Sequence, residues 1–117
     1  MTDLSEIAVA VPVLSRSEAL AQFIESVPRG VSRVIIADNG MPGAHTHVYS
    51  RDWHVDIDVL DLDHDIGIGA CRAALTDAVD EPYIWMGDCD MAFCRPGDLA
   101  RLREILDSDP ELGGVSG

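Results

Sequence analysis

Short apolar runs alternate with amphipathic segments along the whole chain. Four runs have the length of strands, and most of them are apolar on both faces, as in a buried parallel sheet. They cover residues 7–14, 33–37, 57–62 and 83–87. Strands that alternate with helices are joined by right-handed crossovers, which makes the strands parallel. The pattern therefore predicts an α/β fold of three layers, with a mostly parallel sheet flanked by helices.

The first strand and the first helix are separated by a segment with clear boundary signals. Pro12 has no N–H group to donate to a ladder, so we expect the first strand to stop pairing there. Ser15 and Glu18 have the spacing of a capping box, so we expect the first helix to begin at Ser15. Apolar residues at helical spacing then form one face, made of Leu20, Phe23, Ile24 and Val27.

The remaining helices are predicted from the same spacing. A short helix is expected near residues 47–51, and a longer one follows residue 65. A last helix is expected to open at Pro96 and to stop at Pro110. Residues 113–117 look like the beginning of a further strand.

Length and charge limit the classes of partner. The chain has 117 residues, of which 47% are hydrophobic, enough for one domain with one core. It carries 21 acidic and 8 basic residues, so its formal net charge is -13. Such a surface repels nucleic acid and anionic membranes. No apolar run reaches spanning length, and the N-terminus lacks a charged-then-apolar leader. We therefore expect a soluble protein without a transmembrane segment that is not exported.

The type of charged residue is unusual. Every basic residue is Arg, and Asp outnumbers Glu. This composition resembles that of proteins from salt-loving organisms, in which salt screens the repulsion between like charges. A GC-rich genome also favours Arg over Lys, and both explanations stay open.

Cysteines and histidines give only weak signals for a metal site. The three cysteines, Cys71, Cys89 and Cys94, are odd in number and fit a reducing compartment, which favours the cytoplasm. No second pair completes a zinc site, so we interpret all three as packing residues. His45 and His47 form a pair without an evident third ligand, in a segment with the composition of a mobile loop.

Polar residues follow three of the predicted strands. Ser15 and Arg16 follow the first, Asp38 and Asn39 the second, and Asp88 and Asp90 the fourth. Ligands of open α/β sheets bind at the carboxyl ends of the strands, so these side chains are expected to converge. Two carboxylates one residue apart in extended chain point the same way and repel each other unless a cation is present. The alternative is an acidic loop in an acidic protein, which the convergence makes less attractive.

The order of these segments resembles that of the family-2 glycosyltransferases of GT-A fold. The matching segments are Val11-Pro-Val-Leu-Ser-Arg16, Val34-Ile-Ile-Ala-Asp-Asn-Gly40, Asp65-Ile-Gly-Ile-Gly-Ala-Cys-Arg72, Tyr83-Ile-Trp-Met-Gly-Asp-Cys-Asp90 and residues 96–117. Each is loose by itself, whereas their order and spacing together are fairly specific. The resemblance implies one nucleotide-sugar-binding α/β domain over residues 1–117, incomplete relative to a full glycosyltransferase. It also implies a nucleotide diphosphate sugar as the ligand and Mn²⁺ or Mg²⁺ as the cofactor.

The resemblance assigns roles to individual residues. Asp38 would meet the nucleobase, Arg72 would contact phosphate, and Asp88 would lie near the ribose. The residues implied to bind the nucleotide are Pro12, Val13, Leu14, Ser15, Arg16, Asp38, Asn39, Gly67, Arg72, Asp88 and Cys89. The implied metal ligands are Asp90 and Asp88.

The chain also departs from the family pattern. Many members have Thr-Tyr-Asn where this chain has Val13-Leu-Ser15, which puts side-chain contacts to the nucleotide in doubt. The acceptor half and the catalytic base of the family lie beyond the last residue, so no catalytic residue is assigned. The hypotheses are glycosyl transfer, a non-catalytic nucleotide-binding module and a structural domain with a degenerate site. A homodimer or a second, completing chain would cover the open edge of the sheet.

Overall fold

The computed structural model describes residues 3–95 and 97–116. Pro96 and Gly117, which belong to the predictions for the last helix and for a further strand, lie outside the described residues. Within the described part, the strands are β1 (Ile7–Val13), β2 (Arg33–Asp38), β3 (Ile57–Asp61) and β4 (Tyr83–Met86). The helices are α1 (Ser17–Ser26), α2 (Thr46–Tyr49), α3 (Ile68–Ala78) and α4 (Asp98–Ser108).

The four strands form a single parallel sheet in the order β3-β2-β1-β4. Each pairing is parallel, with Val11 opposite Ile36 and Ala8 opposite Ile84. Helices connect successive strands and cover both faces of the sheet. The predicted α/β fold with a parallel sheet between helical layers is therefore confirmed.

The two faces of the sheet bury different kinds of side chain. Because side chains alternate along a strand, Val9 and Val11 face a core shared with Phe23 of α1 and Leu99 of α4. Phe23 stacks on Trp85 of β4 with ring centroids 5.8 Å apart, which adds an aromatic contact to this core. On the opposite face, which α3 covers, three of the four fully buried strand residues are alanines; the buried residues are Ala8, Ala10, Ala37, Ile35, Cys71 and Leu75.

Pairing of β1 does not stop at Pro12, so that prediction is wrong. Val13, one residue further on, still accepts the backbone N–H of Asn39 at 2.9 Å. In a parallel sheet, alternate residues of a strand bond to opposite neighbours. Ala10 accepts the last bond from the β4 side, from the Gly87 N–H at 3.2 Å. Pro12 faces that same side beyond the end of β4, so its missing N–H leaves no gap in the ladder.

The predicted capping box at Ser15 is also wrong. Helix α1 begins at Ser17, and the residue before it, Arg16, has a left-handed backbone with φ of 69° and no side-chain cap. The turn through Arg16 places Ser15 outside the helix, where its side chain is exposed. At the other end of the chain, residues 113–116 form no strand, so the beginning of a further strand is not found in the described residues.

Candidate functional site

A cavity of about 390 Å³ opens at the carboxyl ends of β1, β2 and β4. Its size is in the range of small-molecule sites. Ten of the twelve residues predicted to bind nucleotide or metal line it, namely Pro12, Val13, Leu14, Ser15, Arg16, Asn39, Gly67, Asp88, Cys89 and Asp90. Asp65, Ile68 and Cys71 complete the lining. Asp38 and Arg72 are not part of it.

One wall of the cavity is the loop between β1 and α1. Leu14, Ser15 and Arg16 form this loop, and all three are exposed toward solvent. A close approach of the β2–α2 connection fixes its base, because a Cβ atom on Gly40 would lie 2.3 Å from the Leu14 carbonyl oxygen. A glycine is therefore required at position 40 for the two segments to pack.

The opposite wall carries the two acidic residues that follow β4. The strand ends at Met86, and Cys89 and Asp90 lie in a turn. Asp88 and Asp90 thus reach the same cavity because the chain turns, although the prediction rested on alternation in an extended strand. Both carboxylates are about half exposed, with 52% and 56% of their side-chain surface accessible.

An arginine from another segment stands beside each of these carboxylates. Nη1 of Arg16 lies 4.0 Å from Oδ2 of Asp90, across the mouth of the cavity. Nη2 of Arg72, on α3, lies 3.9 Å from Oδ1 of Asp88. Exposed ion pairs at this distance contribute roughly 0–1 kcal/mol to stability. Little free energy is therefore lost when either guanidinium group binds a more strongly charged anion instead. Arg72 therefore lies next to the site, because it is close to Asp88, although it does not line the cavity.

The two polar residues after β2 have different environments. The Asp38 carboxylate accepts the Tyr49 hydroxyl at 2.8 Å and the Gly40 N–H at 2.9 Å, and Asp38 does not line the cavity. Burial, followed by the hydrogen bond to Asp38, raises the pKa of Tyr49 well above its usual range. Asn39 is 5% exposed and lines the cavity, with Nδ2 donating to the Val13 carbonyl at 2.8 Å. Asn39 rather than Asp38 therefore presents its side chain at the cavity wall.

Two thiols line the deeper part of the cavity. Burial raises the pKa of the Cys71 thiol, and burial with the nearby Asp90 carboxylate raises the pKa of Cys89. Both shifts favour the protonated thiol, which argues against a role as a thiolate nucleophile. The interpretation of all cysteines as packing residues is wrong for Cys94, which is exposed.

The sequence did not identify Asp65, Ile68 and Cys71 as lining residues, nor His45 beside the cavity. Asp65 has a left-handed backbone with φ of 55° and donates its N–H to the Asn39 carbonyl at 2.7 Å. Asp tolerates this conformation better than most residues, which is a signal that could have been used. His45, read as part of a mobile loop, is instead 1% exposed beneath the β1–α1 loop. A histidine in a polar segment gives no sequence signal for such burial.

The donor set limits the kind of metal that fits here. Within residues 3–95 and 97–116, no group of three or more His, Cys, Asp or Glu side chains is arranged to hold a metal ion. Mg²⁺ and Mn²⁺ are commonly bound by one or two carboxylates together with phosphate oxygens and water. Asp88 and Asp90 fit the latter kind of site, in which two carboxylates and the oxygens of a phosphorylated molecule bind the same ion.

Comparison with known proteins bears on the fold. No protein-family model matches the chain, and no curated protein matches it in sequence. The chain is similar to the crystal structure of S. aureus TarS 1-349, with a TM-score of 0.67 and 14% identity. The match covers 87% of this chain and 32% of that one. At this identity the likeness supports the fold alone, an α/β domain with a parallel sheet between helices. None of the described helices is long and apolar enough to cross a membrane.

Proposed function

We propose that this chain binds a nucleotide diphosphate sugar together with Mn²⁺ or Mg²⁺ and forms the donor-binding part of a glycosyltransferase. The observation that carries the proposal is the cavity at the carboxyl ends of β1, β2 and β4. It gathers the β1–α1 loop, Asn39 and the Asp88–Asp90 turn around one space. Ligands of open α/β sheets bind at this position. The likeness to TarS supports the fold on which the proposal rests.

The charged groups suit a diphosphate. Arg16 in the β1–α1 loop and Arg72 on α3 come from different segments, and each is only loosely paired with a carboxylate of the Asp88–Asp90 turn. A guanidinium group can bind two oxygens of a phosphate at once. This bidentate contact is stronger than the interaction of the same guanidinium with a carboxylate 4 Å away. Asp88 and Asp90 would hold the cation beside the same phosphates. When bound, the ion would neutralise the charge that develops on the diphosphate leaving group.

The uncharged part of the cavity suits the nucleoside. Pro12, Val13 and Ile68 give an apolar surface, and Asn39 places a fixed amide at the wall. A small number of fixed polar groups in a mostly apolar cleft is the usual composition of a small-molecule site. The acceptor and the group that deprotonates it are not assigned to any residue of this chain.

Calorimetric titration tests the proposal. Wild-type protein is titrated with UDP, GDP, ADP and CDP, each in the presence of Mn²⁺ and of EDTA. Binding of at least one diphosphate, weakened when Mn²⁺ is removed, is expected. Asp90→Ala should lose about 1–3 kcal/mol of binding free energy, which is the scale of a hydrogen bond or contact to a charged group.

The matched control is Asp77→Ala. It removes the same charge from an exposed position on α3 that does not line the cavity. Equal affinity of wild type, Asp90→Ala and Asp77→Ala, with and without Mn²⁺, would contradict the metal role. No binding of any nucleotide by the wild type would contradict the proposal as a whole. A turnover assay with sugar nucleotides then separates an enzyme from a binding module.

A further inference from the structure

His45 lies directly beneath the loop that forms one wall of the cavity, without lining the cavity itself. Its side chain is 1% exposed, and both ring nitrogens have partners. Nε2 lies 3.2 Å from the carbonyl oxygen of Leu14. Nδ1 lies 2.6 Å from the hydroxyl oxygen of Ser17. One imidazole therefore connects the two ends of the β1–α1 loop.

The partners determine the state of the ring. The Leu14 carbonyl can only accept, so Nε2 must carry a proton and donate it. Nδ1 is then the acceptor of the Ser17 hydroxyl proton in the neutral ring. Among the described residues, that hydroxyl has one other acceptor within hydrogen-bonding distance, the Ala44 carbonyl, at the longer distance of 3.3 Å. For a neutral ring, the arrangement therefore favours the tautomer with the proton on Nε2.

The loop needs such an external connection. Leu14 and Ser17 bracket Ser15 and Arg16, and both bracketed residues line the cavity. Arg16 has a φ of 69°, a left-handed conformation that is unfavourable for a residue with a side chain. The helix that follows has no side-chain cap, so the local sequence does not fix the turn. Gly40 closes on the Leu14 carbonyl from the same side and excludes movement in that direction.

We propose that His45 is a positioning residue that holds the β1–α1 loop in its left-handed turn, so that Arg16 faces the cavity opposite Asp90. Its consequence for ligand affinity rests on the proposed function, whereas its effect on the loop does not. The Leu14 contact fixes the base of the loop, and the Ser17 contact fixes the start of α1. His45 acts through these contacts and does not touch the ligand.

Two substitutions separate the two contacts. In His45→Gln, the amide nitrogen can take the place of Nε2 and keep the bond to Leu14. In His45→Asn, the shorter amide can replace only Nδ1 and keeps the partner of Ser17. Ser17→Ala removes the second contact without changing the ring. Val48→Ala is the control for stability, because Val48 is as deeply buried as His45 and does not line the cavity.

NMR spectroscopy of the full chain gives a readout that does not depend on any ligand. The ring nitrogens of wild-type His45 should show the tautomer protonated on Nε2, and Ser17→Ala should shift the Nδ1 resonance. The amide resonances of Ser15 and Arg16 should move strongly in His45→Asn and little in His45→Gln or Val48→Ala. Where His45→Asn does not fold, Gly40→Ala, which forces a shift of the Leu14 carbonyl, is measured in its place. Ser15 and Arg16 resonances that are unchanged in His45→Asn, or a wild-type His45 ring protonated on Nδ1 alone, would overturn the proposal.

The affinity for UDP with Mn²⁺, or for whichever diphosphate binds best, is measured on the same variants. His45→Asn should bind roughly tenfold more weakly than the wild type, about the effect of one charged hydrogen bond. His45→Gln should recover most of that loss, and Val48→Ala should bind normally despite its lower stability. Equal affinities of His45→Asn and Val48→Ala would overturn the link to the cavity. If the wild type binds no diphosphate, the proposed function fails, and the resonances alone decide the positioning role.

Discussion

The pairing of Arg33 with Glu81 gives a stability prediction whose size can be worked out from the structure. Arg33, at the start of β2, donates from Nε to Oε2 of Glu81 at 2.9 Å and from Nη2 to Oε1 at 3.1 Å. The Ser32 hydroxyl donates to the same carboxylate. Only 10% of the Glu81 side chain is exposed, so this bidentate pair is shielded from solvent.

The pKa of Glu81 expresses the strength of the pair. The hydrogen bond from Arg33 is the largest cause that lowers it, from 4.5 to about 2, against burial, which raises it. A displacement of this size corresponds to roughly 3 kcal/mol of unfolding free energy. Because the pKa is depressed in the folded state, this stabilisation is complete above about pH 4.5. It is lost as the pH falls toward about 2, where the folded protein also takes up the proton.

Glu81→Gln is therefore expected to lower the unfolding free energy by about 2–3 kcal/mol at pH 7, measured by urea denaturation. The deficit should shrink as the pH falls from about 4.5 to 2, because the wild-type carboxylate becomes neutral as well. Asp80→Asn is the control, since Asp80 is 96% exposed and lies 3.9 Å from Arg33. We expect it to change stability by less than about 0.5 kcal/mol. A Glu81→Gln deficit as small as that of Asp80→Asn, or one that is independent of pH, would refute the reasoning.

Three further predictions concern packing, salt and association. Gly87→Ala should destabilise the fold by about 1–3 kcal/mol in urea denaturation, because its Cβ would lie 2.2 Å from the Trp85 ring. Gly69→Ala, where nothing lies within 4 Å, should be neutral or stabilising. The melting temperature should rise with added KCl, because salt screens the repulsion of a net charge of -13; a flat or falling dependence would favour the explanation from genome composition. Among the described residues β4 is paired on one side only, and Ile84 is 40% exposed, so this edge should promote salt-dependent dimerisation in light scattering. Ile84→Asp should reduce the dimerisation, and a strict monomer at high salt would contradict it.

The fold was predictable because its strands are marked by composition. Residues of β1 and β2 are apolar on both faces, a pattern typical of strands in a parallel sheet that helices cover on both sides. The small residues Ala8, Ala10 and Ala37 lie on one face only, which the alternation of side chains along a strand already implies. The sheet and its order of elements therefore followed from local pattern.

The details around the cavity were less predictable, because they depend on contacts between distant segments. Pro12 remained within a strand because the side that it leaves unpaired lies beyond the end of β4. The left-handed turn at Arg16 is supported by His45 and Gly40, which are more than twenty residues away in sequence. Asp38 was expected at the cavity, but it does not line it, and its carboxylate accepts a hydrogen bond from Tyr49 instead. Spacing along the chain contains none of this information.

The most direct test of the account is a crystal structure of the protein soaked with the best-binding nucleoside diphosphate and Mn²⁺. We expect density for the diphosphate in the cavity between Arg16 and the Asp88–Asp90 turn, with an anomalous manganese peak beside the Asp90 carboxylate. The nucleoside should lie against Val13 and Asn39. Density for the nucleotide at another surface, or an empty cavity at ligand concentrations far above the measured Kd, would contradict the central claim.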